Sequence, residues 1–201
     1  LIRHAYIYYL DRNEDPFYAR CMYYMGSYYY CSDSVEKAEN CFTLAAVAAE
    51  RHHDYKLRYM ALELLTRLMR LRNPEKAVEN AEGAIEAYNM YPKKNIGNYI
   101  LLLLNVGNAL QSAKRFEESE AKMREARGLA YAINDSVKIS CCYQDLSAMF
   151  QDKLAVDSAL SAARMAYRYA PNPDYSLKFA LTGALILSHD LDAADSLPTT
   201  I

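Results

Sequence analysis

The residues from Met22 to Ala45, MYYMGSYYYCSDSVEKAENCFTLA, carry two apolar stripes on either side of a polar break. Met22, Met25, Gly26 and Tyr29 recur at intervals of three to four, and so do Ala38, Phe42 and Ala45. That spacing puts side chains on one face of a helix. Between the stripes, Ser32-Asp33-Ser34 supplies a turn and a helix start. The stretch predicts two antiparallel helices, with Gly26 and Ala38 as the small residues that let them cross closely. Such a hairpin cannot bury its apolar stripes alone, so the rest of the chain must supply neighbours for it.

The same pattern returns downstream. A second hairpin has Ala61, Leu64, Leu65 and Leu68, then Ala77, Ala81 and Ala84, with Asn73-Pro74-Glu75 as an N-cap, first-turn proline and first-turn acid. A third has Leu103, Val106, Gly107 and Leu110, a Lys114-Arg115 turn, then Phe116, Ser119, Met123 and Ala126. A fourth has Tyr143, Leu146, Ser147 and Phe150, then Val156, Ala159, Ala163, Ala166 and Pro171. A fifth begins around Asp174, with Leu181 and Leu185, and Ala194 beyond a His189-Asp190 turn. The equivalent positions Gly26, Leu65, Gly107 and Ser147 stand 39, 42 and 40 residues apart. A period near forty without strand signals means an all-α helical repeat array.

The expected divisions are 1-15 as the second helix of a truncated repeat, repeats at 16-53, 54-92, 93-134 and 135-172, and a partial repeat at 173-201. Because the chain opens on Leu1 within such a helix, it reads as a fragment of a longer protein.

Composition narrows the function. Six glycines and six prolines leave little room for the turns of an all-β fold, and 52% apolar residues argue against disorder. A net charge of −2 and a pI near 6.1 give no basic footprint, so no nucleic-acid contact is expected through this region. The longest apolar runs, such as Tyr99 to Leu104, fall short of the roughly 18 residues of a transmembrane helix, so no membrane contact is expected either. The five cysteines, Cys21, Cys31, Cys41, Cys141 and Cys142, are odd in number and contain no CxxC. They read as free thiols, which leans toward a reducing, cytoplasmic compartment.

No nucleophile elbow, phosphate loop, zinc-hydrolase helix or dinucleotide glycine pattern occurs, and no enzymatic activity or cofactor is expected. His52-His53-Asp54 is a candidate metal cluster. Adjacent helical histidines diverge by about 100°, however, so the segment reads as a link between hairpins and no metal is expected. Glu117, Glu118 and Glu120 form a solvated acidic patch near a helix start. Asn134-Asp135-Ser136 fits a glycosylation acceptor but reads as the loop before a helix.

The order of residue types within each hairpin resembles the tetratricopeptide repeat: a large residue, Leu-Gly, Tyr, then Ala, Phe, Ala and Pro. Hairpin one supplies Met22, Met25-Gly26, Tyr29, Ala38, Phe42 and Ala45, with Glu50 in place of the proline. Hairpin four supplies Tyr143, Leu146-Ser147, Phe150, Ala159, Ala163, Ala166 and Pro171. Hairpin two departs most, with Leu65 for the glycine and Ala81 for the phenylalanine. The usual unit is about 34 residues, so these are longer by one to two helical turns. The resemblance implies an α-α superhelix, a right-handed solenoid whose concave groove is lined by the first helix of each hairpin. It is similar to long-repeat bacterial regulators and peptide sensors, in which a separate module gives the output.

Stepping one or two residues from the core positions marks the face opposite the core. That face is expected to carry Arg20, Tyr23, Tyr24, Ser27 and Tyr30, then Tyr59, Glu63 and Thr66, then Asn105 and Asn108, and finally Gln144. Asn105 and Asn108 are the sharpest candidates, since an amide can donate and accept along a peptide backbone. In the resembled family, inward asparagines play that part. Nine tyrosines fall within the first 30 residues: Tyr6, Tyr8, Tyr9, Tyr18, Tyr23, Tyr24, Tyr28, Tyr29 and Tyr30. Tyrosine offers broad contact area with a polar tip and is enriched at interfaces.

The expected function is a noncatalytic protein- or peptide-binding module, the sensor or scaffold part of a larger regulatory protein. Self-association through the tyrosine-dense surface is the alternative. A basic clamp for a terminal carboxylate is disfavoured, because only Arg20 supplies charge at the inward positions.

Overall fold

The computed structural model describes residues 2–171 and 181–186, and every described element is a helix or a turn. The chain divides into two compact units, Leu1–Asn95 and Ile96–Ile201. The first holds α1 (Ile2–Tyr9), α2 (Tyr18–Cys31), α3 (Val35–Arg51), α4 (Tyr55–Met69) and α5 (Pro74–Met90). The second holds α6 (Ile96–Ser112), α7 (Phe116–Ala132), α8 (Ser136–Asp152) and α9 (Val156–Tyr169), and residues 181–186 are also helical. Within each unit consecutive helices pack on one another, and the first helices of neighbouring hairpins also touch: α2 with α4, and α6 with α8. The fifth-hairpin residues Asp174, His189, Asp190 and Ala194 lie outside the described residues. Leu181 and Leu185 are buried with Ala163 and Ala184.

Each hairpin crosses where the small-residue pattern predicts. Ala38 and Phe42 are fully buried, and a Cβ built on Gly26 would lie 2.8 Å from the Phe42 ring. Position sixteen residues on from Gly26, Leu65, Gly107 and Ser147 is occupied by Phe42, Ala81, Met123 and Ala163 respectively. In the first three pairs a large residue on one side goes with a small one on the other, whereas Ser147 and Ala163 are both small. Gly107 faces Met123, whose Cγ would stand 2.8 Å from an added Cβ, whereas buried Leu65 has the small Ala81 at the matching place. Hydroxyls add a stitch at two crossings: Ser119 Oγ donates to the Gly107 carbonyl at 2.8 Å, and Ser147 Oγ to the Ala159 carbonyl at 2.9 Å.

Five of the turns share one geometry. Asp33, His53, Lys114, Asn134 and Leu154 have φ of 55°, 53°, 61°, 52° and 59°. The residue after each donates its backbone N–H five positions back, as in Asp54 to Ala49 at 2.8 Å and Ala155 to Phe150 at 2.9 Å. This is the Schellman closure, in which a left-handed residue satisfies the last carbonyls of a helix. The α4–α5 turn differs: Asn73 donates to Met69 at 2.7 Å, caps Lys76 N–H, and is followed by Pro74.

Leu154 is the misfit among the five, a γ-branched side chain in the left-handed region and 81% exposed. That conformation costs about 1 kcal/mol for such a residue, whereas asparagine tolerates it. Leu154→Asn is therefore expected to raise stability by about 0.5–1 kcal/mol, read as a Tm increase of roughly 1–4 °C. An unchanged or lower Tm would count against the strain.

All five cysteines are free thiols, and Cys31 is the exposed one. Burial raises the thiols of Cys21, Cys41 and Cys141, and pushes Cys142 up to about 12, with Asp145 and Cys141 adding to the shift. Raised thiols hold little thiolate at pH 8, and the thiolate is the nucleophile. An aromatic disulfide reagent at pH 8 is expected to titrate Cys31 rapidly, the half-buried Cys141 more slowly, and Cys21, Cys41 and Cys142 only after unfolding. Survival of the fast phase in Cys31→Ser would contradict that order.

Candidate site on the first helices

The first two turns of α2 and of α4 enclose a cleft of about 300 Å³. Arg20, Tyr23 and Tyr24 line it from α2; Asp54, Lys56, Leu57 and Met60 line it from the α4 side. Asp54 is placed by its role as N-cap of α4, where its Oδ1 accepts from Leu57 N–H at 3.1 Å. The second carboxylate oxygen stands 3.5 Å from Arg20 Nη2, and the Arg20 side chain is 58% exposed. So long and exposed a pair contributes at most about 1 kcal/mol, leaving the guanidinium available to an incoming carboxylate.

Tyr24 is exposed and stands edge-on to Tyr23, with ring centroids 5.7 Å apart. Tyr23 is half-buried, its ring 5.8 Å from Phe42, so one side chain serves both cleft wall and core. Burial chiefly raises the Tyr23 hydroxyl pKa, and the nearby Glu63 carboxylate adds to the rise. That hydroxyl therefore stays protonated as a donor.

The remaining expected site residues scatter. Tyr30 is exposed at the far end of α2, and half-buried Ser27 donates its hydroxyl to the Tyr23 carbonyl at 3.0 Å. Glu63 pairs with Arg67 at 2.8 Å one turn along α4. Tyr59 and Thr66 are corrections, because neither is on an open face. Tyr59 is buried edge-on against Tyr88, 5.2 Å between centroids, with Tyr91 at 6.1 Å. Thr66 is fully buried and donates back to the Leu62 carbonyl at 2.8 Å.

In the second unit the asparagine pair also departs from expectation. Asn105 is buried, not on an exposed face. Asn108 is half-buried, and its Nδ2 donates to Asp145 Oδ2 on α8 at 3.2 Å. Gln111 makes a parallel link to Asp152 at 2.8 Å, and Gln144 is half-buried. These amides strap α6 to α8. The physical reason is common to all three corrections. A first helix is packed on by its own partner helix and, on a second side, by a neighbouring first helix, α2 for α4 and α8 for α6. A face that an isolated hairpin would leave open is thereby partly covered.

Sequence reasoning missed Asp54, Lys56, Leu57 and Met60. The available signal was the first turn of each first helix, which side-by-side packing places next to the first turn of its predecessor. Among the described residues there is no cluster of three or more His, Cys, Asp or Glu that could hold a metal ion, and no helix long and apolar enough to cross a membrane.

No protein-family model matches the chain, and no curated protein matches it. Solved structures do. BtubC (BKLC) from P. vanneervenii is 16% identical, with 97% of this chain and 82% of that one covered at a TM-score of 0.70. A kinesin light chain candidate from Podosopora anserina with nearly identical TPR-like repeats is 13% identical, with 92% and 93% covered at 0.71. The apo form of RapI is 11% identical, with 88% of this chain and 50% of that one covered at 0.68. At these identities the likeness establishes the fold: the chain is a tetratricopeptide-like helical repeat.

Proposed function

We propose that the chain is a noncatalytic binding module that holds an extended segment of a partner protein or peptide against its first helices. The α2–α4 cleft anchors that segment, and the module serves as the sensor or scaffold part of a larger regulatory protein. The observation that carries the reading is the cleft's chemistry. Arg20 and Lys56 offer charge at the rim, Tyr23 and Tyr24 offer ring faces and hydroxyls, and Leu57 and Met60 offer an apolar floor. Aromatic and arginine side chains around an apolar pocket are the usual anchors of protein interfaces. Tetratricopeptide-like folds generally mediate contacts between proteins, which supports the coarser part of the reading.

Peptides selected from a random library on the wild-type chain test the assignment. Arg20→Ala and Tyr24→Ala, both at exposed positions, are expected to weaken the selected peptides about 10-fold each, with helix content unchanged. Undiminished affinity in both variants would overturn the placement.

Self-association is the second reading, favoured by the exposed apolar side chains Ile7, Tyr8, Leu10, Phe17, Tyr24, Tyr28 and Tyr30 on and between α1 and α2. Sedimentation across a concentration range decides it, since a strictly monomeric chain excludes it.

A further inference from the structure

A second recess of about 320 Å³ opens in the other unit, floored by α8 and walled by α7 and α9. Tyr143, Leu146 and Phe150 of α8 form its floor; Tyr143 and Phe150 are only half-buried, although their equivalents on α6, Leu103 and Leu110, are 0% and 2% exposed. The opening has a sequence cause. α9 presents Ser158 and Ser161 to the recess. At the matching places α5 carries Lys76 and Glu79, and α7 carries Glu118 and Ala121. Only α9 is small at both positions, so its wall leaves Tyr143 and Phe150 on the floor partly uncovered.

The other wall is cationic. Arg124 and Arg127, one turn apart on α7, both face the recess. Arg127 lies over the Tyr143 ring with its guanidinium carbon 5.3 Å from the centroid, and among the described residues it makes no ion pair. Arg124 pairs with Glu120 at 2.5 Å, but Glu120 also has the Lys153 ammonium at 3.8 Å, so its charge stays compensated if Arg124 turns to another carboxylate. The one acid on the lining is Asp157, in the first turn of α9, where negative charge is favoured by the helix itself.

From this arrangement we propose that the recess between α7 and α9 is a docking site for an acidic peptide segment of a protein partner. A carboxylate of the segment bridges Arg124 and Arg127, and an adjacent apolar side chain rests on the half-buried Phe150. The charge complementarity is local, since the chain as a whole is slightly acidic. The site is independent of the α2–α4 cleft and stands or falls separately.

The test uses a fluorescent, end-blocked peptide of alternating glutamate and leucine, with a glutamine–leucine peptide as control. The glutamate peptide is expected to bind, with affinity reduced about 10-fold by Arg127→Ala and at least as much by Arg124→Ala with Arg127→Ala. Ser161→Phe, at an exposed position, fills the recess and is expected to abolish binding. Arg168→Ala, a surface cation off the recess, leaves affinity unchanged. Equal binding of the glutamine peptide, or an equal loss in Arg168→Ala, would show nonspecific attraction and overturn the proposal. So would full affinity in Ser161→Phe.

Discussion

Gly26→Leu is expected to destabilise the protein by about 2–3 kcal/mol, because the added side chain enters space already filled by the Phe42 ring. An added Cβ alone would meet ring atoms at 2.8 Å, and Phe42 is fully buried and cannot swing aside. The informative experiment is the cycle with Phe42→Ala. Alone, that change leaves a cavity costing about 3–5 kcal/mol. The double variant recreates the residue combination at the matching positions of the next hairpin, Leu65 and Ala81, both of which are buried. It is therefore expected to be more stable than the sum of the single effects by at least about 1–2 kcal/mol, measured by urea unfolding. Strict additivity would refute the idea that these two positions share one volume.

The second large effect is expected at Tyr88, which is 2% exposed near the end of α5. Its hydroxyl donates to the Asn95 carbonyl and accepts from the Asn95 N–H, closing the loop that follows the helix. Its ring holds the edge of Tyr59. Tyr88→Phe keeps the packing and removes the clasp, with an expected cost of about 1 kcal/mol. Tyr88→Ala removes both and is expected to cost about 3–5 kcal/mol. Amide exchange adds a local readout: the Asn95 N–H should lose protection in Tyr88→Phe while the core of α5 keeps its own. A loss below about 1 kcal/mol for Tyr88→Ala would refute the placement of this ring in the core.

The hairpins were legible because their determinants are local and periodic. Met22, Met25, Gly26 and Tyr29 show their helical spacing to any reader, and Ser32-Asp33-Ser34 announces the turn. Even the odd hairpin, with Leu65 and Ala81, becomes intelligible from sequence once volume is conserved across the pair. The turns were less legible. Nothing in the residue type of Leu154 announces a left-handed backbone, because the Schellman closure of the preceding helix imposes it.

The candidate site was legible only in part. Arg20, Tyr23 and Tyr24 were found from α2 alone, and the structure brings them together in one cleft. Asp54, Lys56, Leu57 and Met60 were missed, since their nearness to α2 depends on how two hairpins stack. Tyr59, Thr66 and Asn105 were expected on an open face and are buried, Tyr59 against Tyr88 of its own partner helix.

By itself the sequence determined which residues form helices, where each hairpin crosses and which side chains fill the crossing. Those follow from a repeat of about 3.6 residues and from side-chain volume, both readable along the chain. The tertiary structure alone decided which polar and aromatic side chains remain accessible. Accessibility is a property of neighbours, and here the neighbour that covers or opens a face lies on another helix, as Tyr88 does for Tyr59 and Asp145 for Asn108.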